Sequence, residues 1–244
     1  MWHKLLTPVS NHFPRPHWLH YKRNKDKDKK MEKEPWRIEK EKMVEGFHGR
    51  NASAIKGQVV FAGSSLMEQF PIEEWVKELG PDAPIVYNRG VGGYTTTDML
   101  PILDACVYEL EPRKVFINIG TNDLSNPDLP LEIVMKNYDQ IITLIEEHVP
   151  GVVIYMMAYY PINLEAAVEE IKPALMVRTN EKINQANRLV EQLAIKHNQR
   201  YIDVNAPLKD EQGRLKAEYT VEGMHIKPEG YRTIFDDVMK YVME

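Results

Sequence analysis

The chain has 244 residues, 43% of them apolar, and a net charge of −5; it is long enough for a real core and for one or two domains, and its acidic balance argues against a nucleic-acid surface. The single cysteine, Cys106, excludes an intrachain disulfide and a cysteine-based zinc site, and reads as a small buried residue on a helix. No apolar run approaches the roughly 20 residues of a membrane span.

Residues 1–35 read as a flexible N-terminal extension. His3, His12, His17 and His20 sit with Trp2, Phe13 and Trp18 among prolines, and a charge run over 22–30 cannot bury anything. The histidine spacing matches no metal-ligand pattern. Residues 1–20 lack the apolar region of a signal peptide, so the expected location is the cytoplasm. Residues 36–244 are expected to form one domain.

Residues 36–54 are expected to be helical, with Ile38, Met43 and Phe47 near one face. Short apolar runs then alternate with helical periodicity. Strands are predicted at 58–62, 85–87, 114–119, 152–158 and 201–204. Helices are predicted at 66–79, interrupted by Pro71; at 95–110 in spite of Pro101; at 131–148; at 173–197; and at 228–243. Strands alternating with helices imply parallel pairing through right-handed crossovers. Continuously apolar strands imply a sheet covered on both faces. The predicted fold is therefore α/β, a three-layer α/β/α sandwich around a five-stranded parallel sheet. Ligands bind outside the carboxyl ends of such strands. The turns at 63–65, 88–97 and 120–123 then share one sheet edge, and His225, just before the last helix, can join them.

A serine hydroxyl is a poor nucleophile until a base takes its proton, and the base needs an acid to fix its tautomer. Ser65, His225 and Glu222 supply these three roles. A tight turn at 222–225 can set the carboxylate on the imidazole Nδ1–H while Nε2 faces Ser65. The backbone N–H of Ser65, at a helix start, suits a developing oxyanion; the same junction also reads as a helix cap by Ser64 or Ser65. Met67 stands where a Gly-x-Ser-x-Gly elbow needs its second glycine, which argues against the α/β-hydrolase fold. Gly90, Gly92 and Gly93 let a backbone approach a ligand closely, but their spacing fits neither common phosphate-binding motif. Asn122 offers an amide donor to the same cleft, or is an ordinary turn asparagine. Asp123 either caps the next segment or holds its loop.

Together these stretches resemble the SGNH, or GDSL-type, serine hydrolases over residues 57–244. Phe61-Ala62-Gly63-Ser64-Ser65-Leu66 looks like the first block of that family, and the segment from Asn88-Arg89-Gly90 to Tyr94-Thr95-Thr96 like the second. Gly120-Thr121-Asn122-Asp123 matches the third, and Glu222-Gly223-Met224-His225 resembles the last, usually Asp-x-x-His. The resemblance implies a flavodoxin-like fold and a cofactor-independent, metal-free esterase. Ser65 would be the nucleophile, His225 the general base and Glu222 the orienting acid. The N–H groups of Ser65 and Gly93 and the Asn122 side chain would form the oxyanion hole, with Tyr94 lining the substrate mouth. Two departures stand out: Ser64 replaces an aspartate, and Glu222 is one methylene longer than the usual acid. The implied partner is a small-molecule or carbohydrate ester, with short acyl or O-acetyl groups favoured and a homo-oligomer left open. A lysophospholipid or platelet-activating-factor type of ester is the alternative substrate. A noncatalytic binding module on the same fold is the alternative function.

Overall fold

The computed structural model describes residues 34–244, so almost all of the expected N-terminal extension, with its histidines and charge run, lies outside the described residues. Five parallel strands, β1 (Val59–Gly63), β2 (Val86–Gly90), β3 (Lys114–Asn118), β4 (Val153–Met157) and β5 (Arg200–Ile202), lie in the order β2-β1-β3-β4-β5. Register pairs Gly63 with both Gly90 and Asn118, so the carboxyl ends of β1, β2 and β3 finish level. The strand order reverses direction at β1, which opens a crevice between the turns after β1 and β3.

Side-chain alternation divides the core into two layers. Val60, Ala62, Val115, Ile117, Ile154 and Met156 face helices α1 (Pro35–Ala52), α6 (Leu131–His148) and α8 (Asn180–Lys196). Val59, Phe61, Phe116, Tyr155 and Met157 face α2 (Ser65–Glu68), α3 (Ile72–Glu78) and α9 (Pro228–Met243). On the second face Phe61, Phe116 and Tyr155 stack across three strands, with ring centroids 4.6 and 4.5 Å apart. The architecture is thus the expected three-layer α/β/α sandwich; of the apolar residues that recur at helical spacing in α6, Val134, Tyr138, Ile141, Ile142 and Ile145 are buried and Ile133 is exposed. Among the described residues no helix is long and apolar enough to cross a membrane.

The expected interruption of 66–79 at Pro71 separates two helices, α2 and α3. Two other helical predictions need correction, each for a local reason. The segment 95–110 breaks into α4 (Thr96–Met99), a 3-10 turn holding Pro101, α5 (Leu103–Cys106) and a second 3-10 turn. Proline lacks the N–H and crowds the preceding turn, which shortens each helix. The segment 173–197 is α7 (Lys172–Val177) followed by α8, because Thr179 caps the second helix by accepting from Lys182 N at 3.2 Å. In α1, Val44 and Phe47 are buried, whereas Ile38 is 41% exposed.

β2 runs three residues further than predicted, because its polar end is satisfied by the protein. Asn88 Nδ2 donates to Met67 O (2.6 Å) and Phe70 O (3.0 Å). Arg89 is buried and donates through Nε and Nη2 to Asn51 Oδ1 at 3.0 and 2.9 Å, while Asn51 Nδ2 donates to Ala105 O at 2.7 Å. Asn51 therefore joins α1, α5 and β2. Asn51→Ala leaves Nε and Nη2 of a buried guanidinium without their acceptor and is expected to destabilise the fold by about 2–4 kcal/mol. Urea unfolding checks this; a loss below about 0.5 kcal/mol would show that α1 is held by its apolar face alone.

Candidate active site

Gly63 ends β1 with a positive φ of 149°, and a Cβ there would collide with the Asn118 carbonyl. That close approach lets Ser64 N donate to Asn118 O at 3.2 Å and turns the chain sharply into α2. Ser65 is the first residue of α2. Ser64 sits at the N-cap but makes no side-chain capping bond, and its buried Oγ has no partner among the described residues. Capping is therefore not what the two hydroxyls do. Tyr231 of α9 donates its hydroxyl to Leu66 O at 2.8 Å, fixing the short helix that carries Ser65.

The loop before α9 is closed by an antiparallel bridge between Thr220 and Ile226. Inside it Val221 N donates to His225 O at 2.9 Å, and Thr220 Oγ1 accepts from Gly223 N at 2.8 Å. The resulting turn brings Glu222 Oε1 to 2.6 Å from His225 Nδ1 and 3.3 Å from His225 N. His225 Nε2 lies 3.0 Å from Ser65 Oγ, 160 residues away in the chain. A carboxylate accepting from Nδ1–H leaves the Nε2 lone pair toward the serine hydroxyl. The relay Ser65–His225–Glu222 is complete in geometry, and the longer glutamate reaches the imidazole.

Gly93 has a φ of 78°, and a Cβ there would lie 2.9 Å from the Trp36 ring. The positive φ favours glycine, and any Cβ would also require the Trp36 ring to shift. Among the described residues neither the Ser65 nor the Gly93 N–H donates to a protein acceptor. Asn122 Nδ2 donates to Tyr94 O at 3.0 Å, and its Oδ1 accepts from Arg178 Nη2 at 3.0 Å. Asp123 holds its loop rather than capping the next segment: its carboxylate accepts from Thr96 N at 3.0 Å and from Thr96 Oγ1 at 2.5 Å. Burial pushes the Asp123 pKa upward, and these Thr96 bonds oppose the shift.

Ser65, Gly93, Asn122 and His225 line one open cleft of about 320 Å³. Tyr94 does not; it is 4% exposed in the core, and it meets Asn122 through its backbone carbonyl. The expected side chain at the substrate mouth is therefore replaced by Trp36 and Lys40 from α1, together with Met224. Lys40 donates to Glu68 Oε1 at 2.6 Å, and Glu68 Oε2 accepts from Gly92 N. Neither Trp36 nor Arg178 was apparent from sequence, since one precedes every motif and the other lay inside a helix read as continuous. The tandem Thr179-Asn180, a capping pair, was the available sign of the break. His48, Asp104 and Glu109 are the one group of metal-ligand types that meets within 4.8 Å among the described residues, and none of them lines the cleft.

The model of the GDSL-like lipase/acylhydrolase family matches residues 61–233. No curated protein gives a significant match. Among solved structures, a Streptococcus pneumonia protein with the provisional description "platelet activating factor" is 31% identical, with a TM-score of 0.75 over 85% of this chain and 94% of that one. A Bacteroides fragilis protein with the provisional description "acylhydrolase" is 21% identical, with a TM-score of 0.68 over 87% and 98%. An acetylxylan esterase from Geobacillus stearothermophilus is 17% identical, with a TM-score of 0.59 over 78% and 95%. With its four blocks along one sheet edge and the family match running through all of them, the chain belongs to the GDSL-like lipase/acylhydrolase, or SGNH, family.

Proposed function

We propose that the chain is a serine esterase acting on short-chain acyl esters, with O-acetyl groups on carbohydrate as the favoured substrate, through an acyl-enzyme on Ser65. The observation that carries this reading is the 3.0 Å contact of Ser65 Oγ with His225 Nε2, backed by Glu222 at 2.6 Å from Nδ1. Ser65 Oγ attacks the ester carbonyl as His225 Nε2 takes its proton. The tetrahedral oxyanion is received by the N–H groups of Ser65 and Gly93 and by Asn122 Nδ2, each worth about 3 kcal/mol of barrier. His225 returns the proton to the leaving alcohol. Water, deprotonated by the same imidazole, then releases the acid from Ser65. Glu222 holds the tautomer and stabilises the imidazolium in both steps.

The substrate class rests on the walls of the cleft. A volume of about 320 Å³ suits a small acyl group beside part of an alcohol. Trp36, 41% exposed at the mouth, offers an aromatic face to a sugar ring, and the likeness to an acetylxylan esterase agrees. A second reading, an acetylated phospholipid, draws on the description of the 31% identical protein. Both put the small acyl group at Ser65 and differ in the alcohol. A noncatalytic module is disfavoured, since Glu222 still pairs with His225 and the Ser64 substitution leaves Ser65 in contact with the base.

Ser65→Ala is expected to abolish hydrolysis of p-nitrophenyl acetate and labelling by a fluorophosphonate, and Ser64→Ala to retain most of both. Reversed phenotypes would move the nucleophile by one residue, and a wild-type chain that takes no label would leave only a binding module. Glu222→Gln should lower kcat/KM on the order of 10²–10³, with Glu222→Asp better tolerated because it keeps the charge; Glu222→Gln within about threefold of wild type would leave a Ser65–His225 dyad. Trp36→Ala is expected to reduce kcat/KM on acetylated xylo-oligosaccharides about tenfold while changing p-nitrophenyl acetate by less than about twofold. Equal losses on both would show that Trp36 supports the Gly93 turn and not the alcohol. Preference for an acetylated phospholipid over the oligosaccharide would favour the second reading.

A further inference from the structure

The break between α7 and α8 carries an arginine that the relay does not use. Arg178 is 3% exposed, and among the described residues it forms no ion pair with a carboxylate. Its guanidinium instead spends its donors on three neutral acceptors: Nε on Ser125 Oγ at 2.8 Å, Nη1 on Met224 Sδ at 2.9 Å, and Nη2 on Asn122 Oδ1 at 3.0 Å. Ser125 and Asn122 belong to the turn after β3, and Met224 directly precedes His225. One side chain thus spans the two loops that carry the oxyanion donor and the base.

We infer that Arg178 is a positioning residue for the oxyanion site, orienting the Asn122 amide so that one N–H faces the cleft. The inference rests on the esterase reading for its catalytic consequence, while the orientation itself stands on geometry. Asn122 lies between Arg178, a donor without lone pairs, and the Tyr94 carbonyl, an acceptor without a hydrogen. Flipping the amide would set N–H₂ against the guanidinium and Oδ1 against the carbonyl. Both neighbours therefore enforce one orientation. In it, one Nδ2–H is taken by Tyr94 O and the other is left for a ligand. A charge-assisted bond to Oδ1 also draws electron density from the amide and makes that remaining N–H a stronger donor.

Packing alone does not account for a cation at this position. A buried guanidinium with neutral partners is costly to desolvate, and an apolar side chain could fill the space. Burial pulls the Arg178 pKa down to about 10, with nearby Asp123 opposing the shift, so the charge is present at neutral pH. The same charge is bonded to Asn122, the side chain that would receive the oxyanion, and a preorganised field needs no rearrangement during reaction.

The test is a double-mutant cycle with a readout independent of activity. Arg178→Gln is expected to lower kcat on p-nitrophenyl acetate on the order of 10–100-fold, with KM within about twofold. Asn122→Ala alone should cost on the order of 10²–10³. Adding Arg178→Gln to Asn122→Ala should then cost less than about threefold more, because the group being positioned is gone. Arg178→Lys keeps the charge without the planar fork and should fall between wild type and Arg178→Gln; it carries the same cycle if Arg178→Gln does not fold. Losses that multiply in the double variant, or an effect confined to KM, overturn the proposal. In ¹⁵N-labelled protein the Asn122 side-chain amide pair is assigned by its disappearance in Asn122→Ala. It should move toward the position of a solvent-exposed asparagine in Arg178→Gln, and an unmoved pair also overturns the proposal. A wild-type chain that hydrolyses no ester defeats the esterase reading instead, and the amide signal still reports whether Arg178 holds Asn122.

Discussion

The site depends on one constraint, the level finish of three parallel strands. Gly63, Gly90 and Asn118 stand in register, and the close approach of Gly63 to the Asn118 carbonyl requires a residue without a side chain. Asn118 extends the same edge to the next strand, donating from Nδ2 to Met157 O and Ala158 O at 3.3 and 3.0 Å. Each turn that follows a strand therefore begins from a fixed height. A strand slipped by one residue would reverse the faces of Val60 and Phe61 and move Ser65 out of reach of His225 together. Packing of the core and geometry of the site are thus set by the same register.

Above that edge, the loops are held by buried polar groups in place of regular structure. Asp123 ties the turn after β3 to the start of α4 through Thr96. Asn88 ties β2 to the end of α2, and Arg89 with Asn51 brings in α1. Asp123, Arg89 and Asn51 are buried and Asn88 is half-buried, each with its partners, and such networks specify one arrangement more strongly than apolar contact does. Under the esterase reading, the consequence for catalysis is preorganisation. Donors aimed at a developing charge contribute most when they do not reorganise during the reaction.

Legibility from sequence followed the range of the forces involved. The strands and the long helices α6 and α9 were readable because hydrophobic periodicity is a local signal that burial enforces. The residues Ser65, Gly93, Asn122, Glu222 and His225 were readable as a set because each sits in a short motif after a strand or before a helix. Helix breaks were read less well: Pro101 and Thr179 ended helices whose apolar periodicity carried on past them. Tyr94 shows the limit of motif reasoning. Its place beside Gly93 suggested a surface role, but the positive φ of Gly93 turns the chain and Tyr94 enters the core. Trp36 and Arg178 depend wholly on tertiary placement, and no local pattern ties them to the cleft.

The division of labour between elements bears on how such a site acquires a substrate. Ser65, Gly93, Asn122 and His225 come from turns anchored to the sheet or to the helix that packs on it, where the register allows little change. Trp36 and Lys40 come from the first turns of α1, which lies ahead of the first strand and rests on the sheet through Phe47, Val44 and the Asn51–Arg89 bond. A change at Trp36 alters one wall of the cleft without touching a strand end. A change at Arg178 acts through Asn122 and Met224, which it contacts directly. Under the esterase reading, recognition of the alcohol and stabilisation of the oxyanion are therefore carried by separate elements that meet around the Gly92-Gly93 turn. Lys40 and Glu68 reach Gly92 there, and Trp36 covers Gly93. At that turn a change made for substrate fit would also disturb the chemistry.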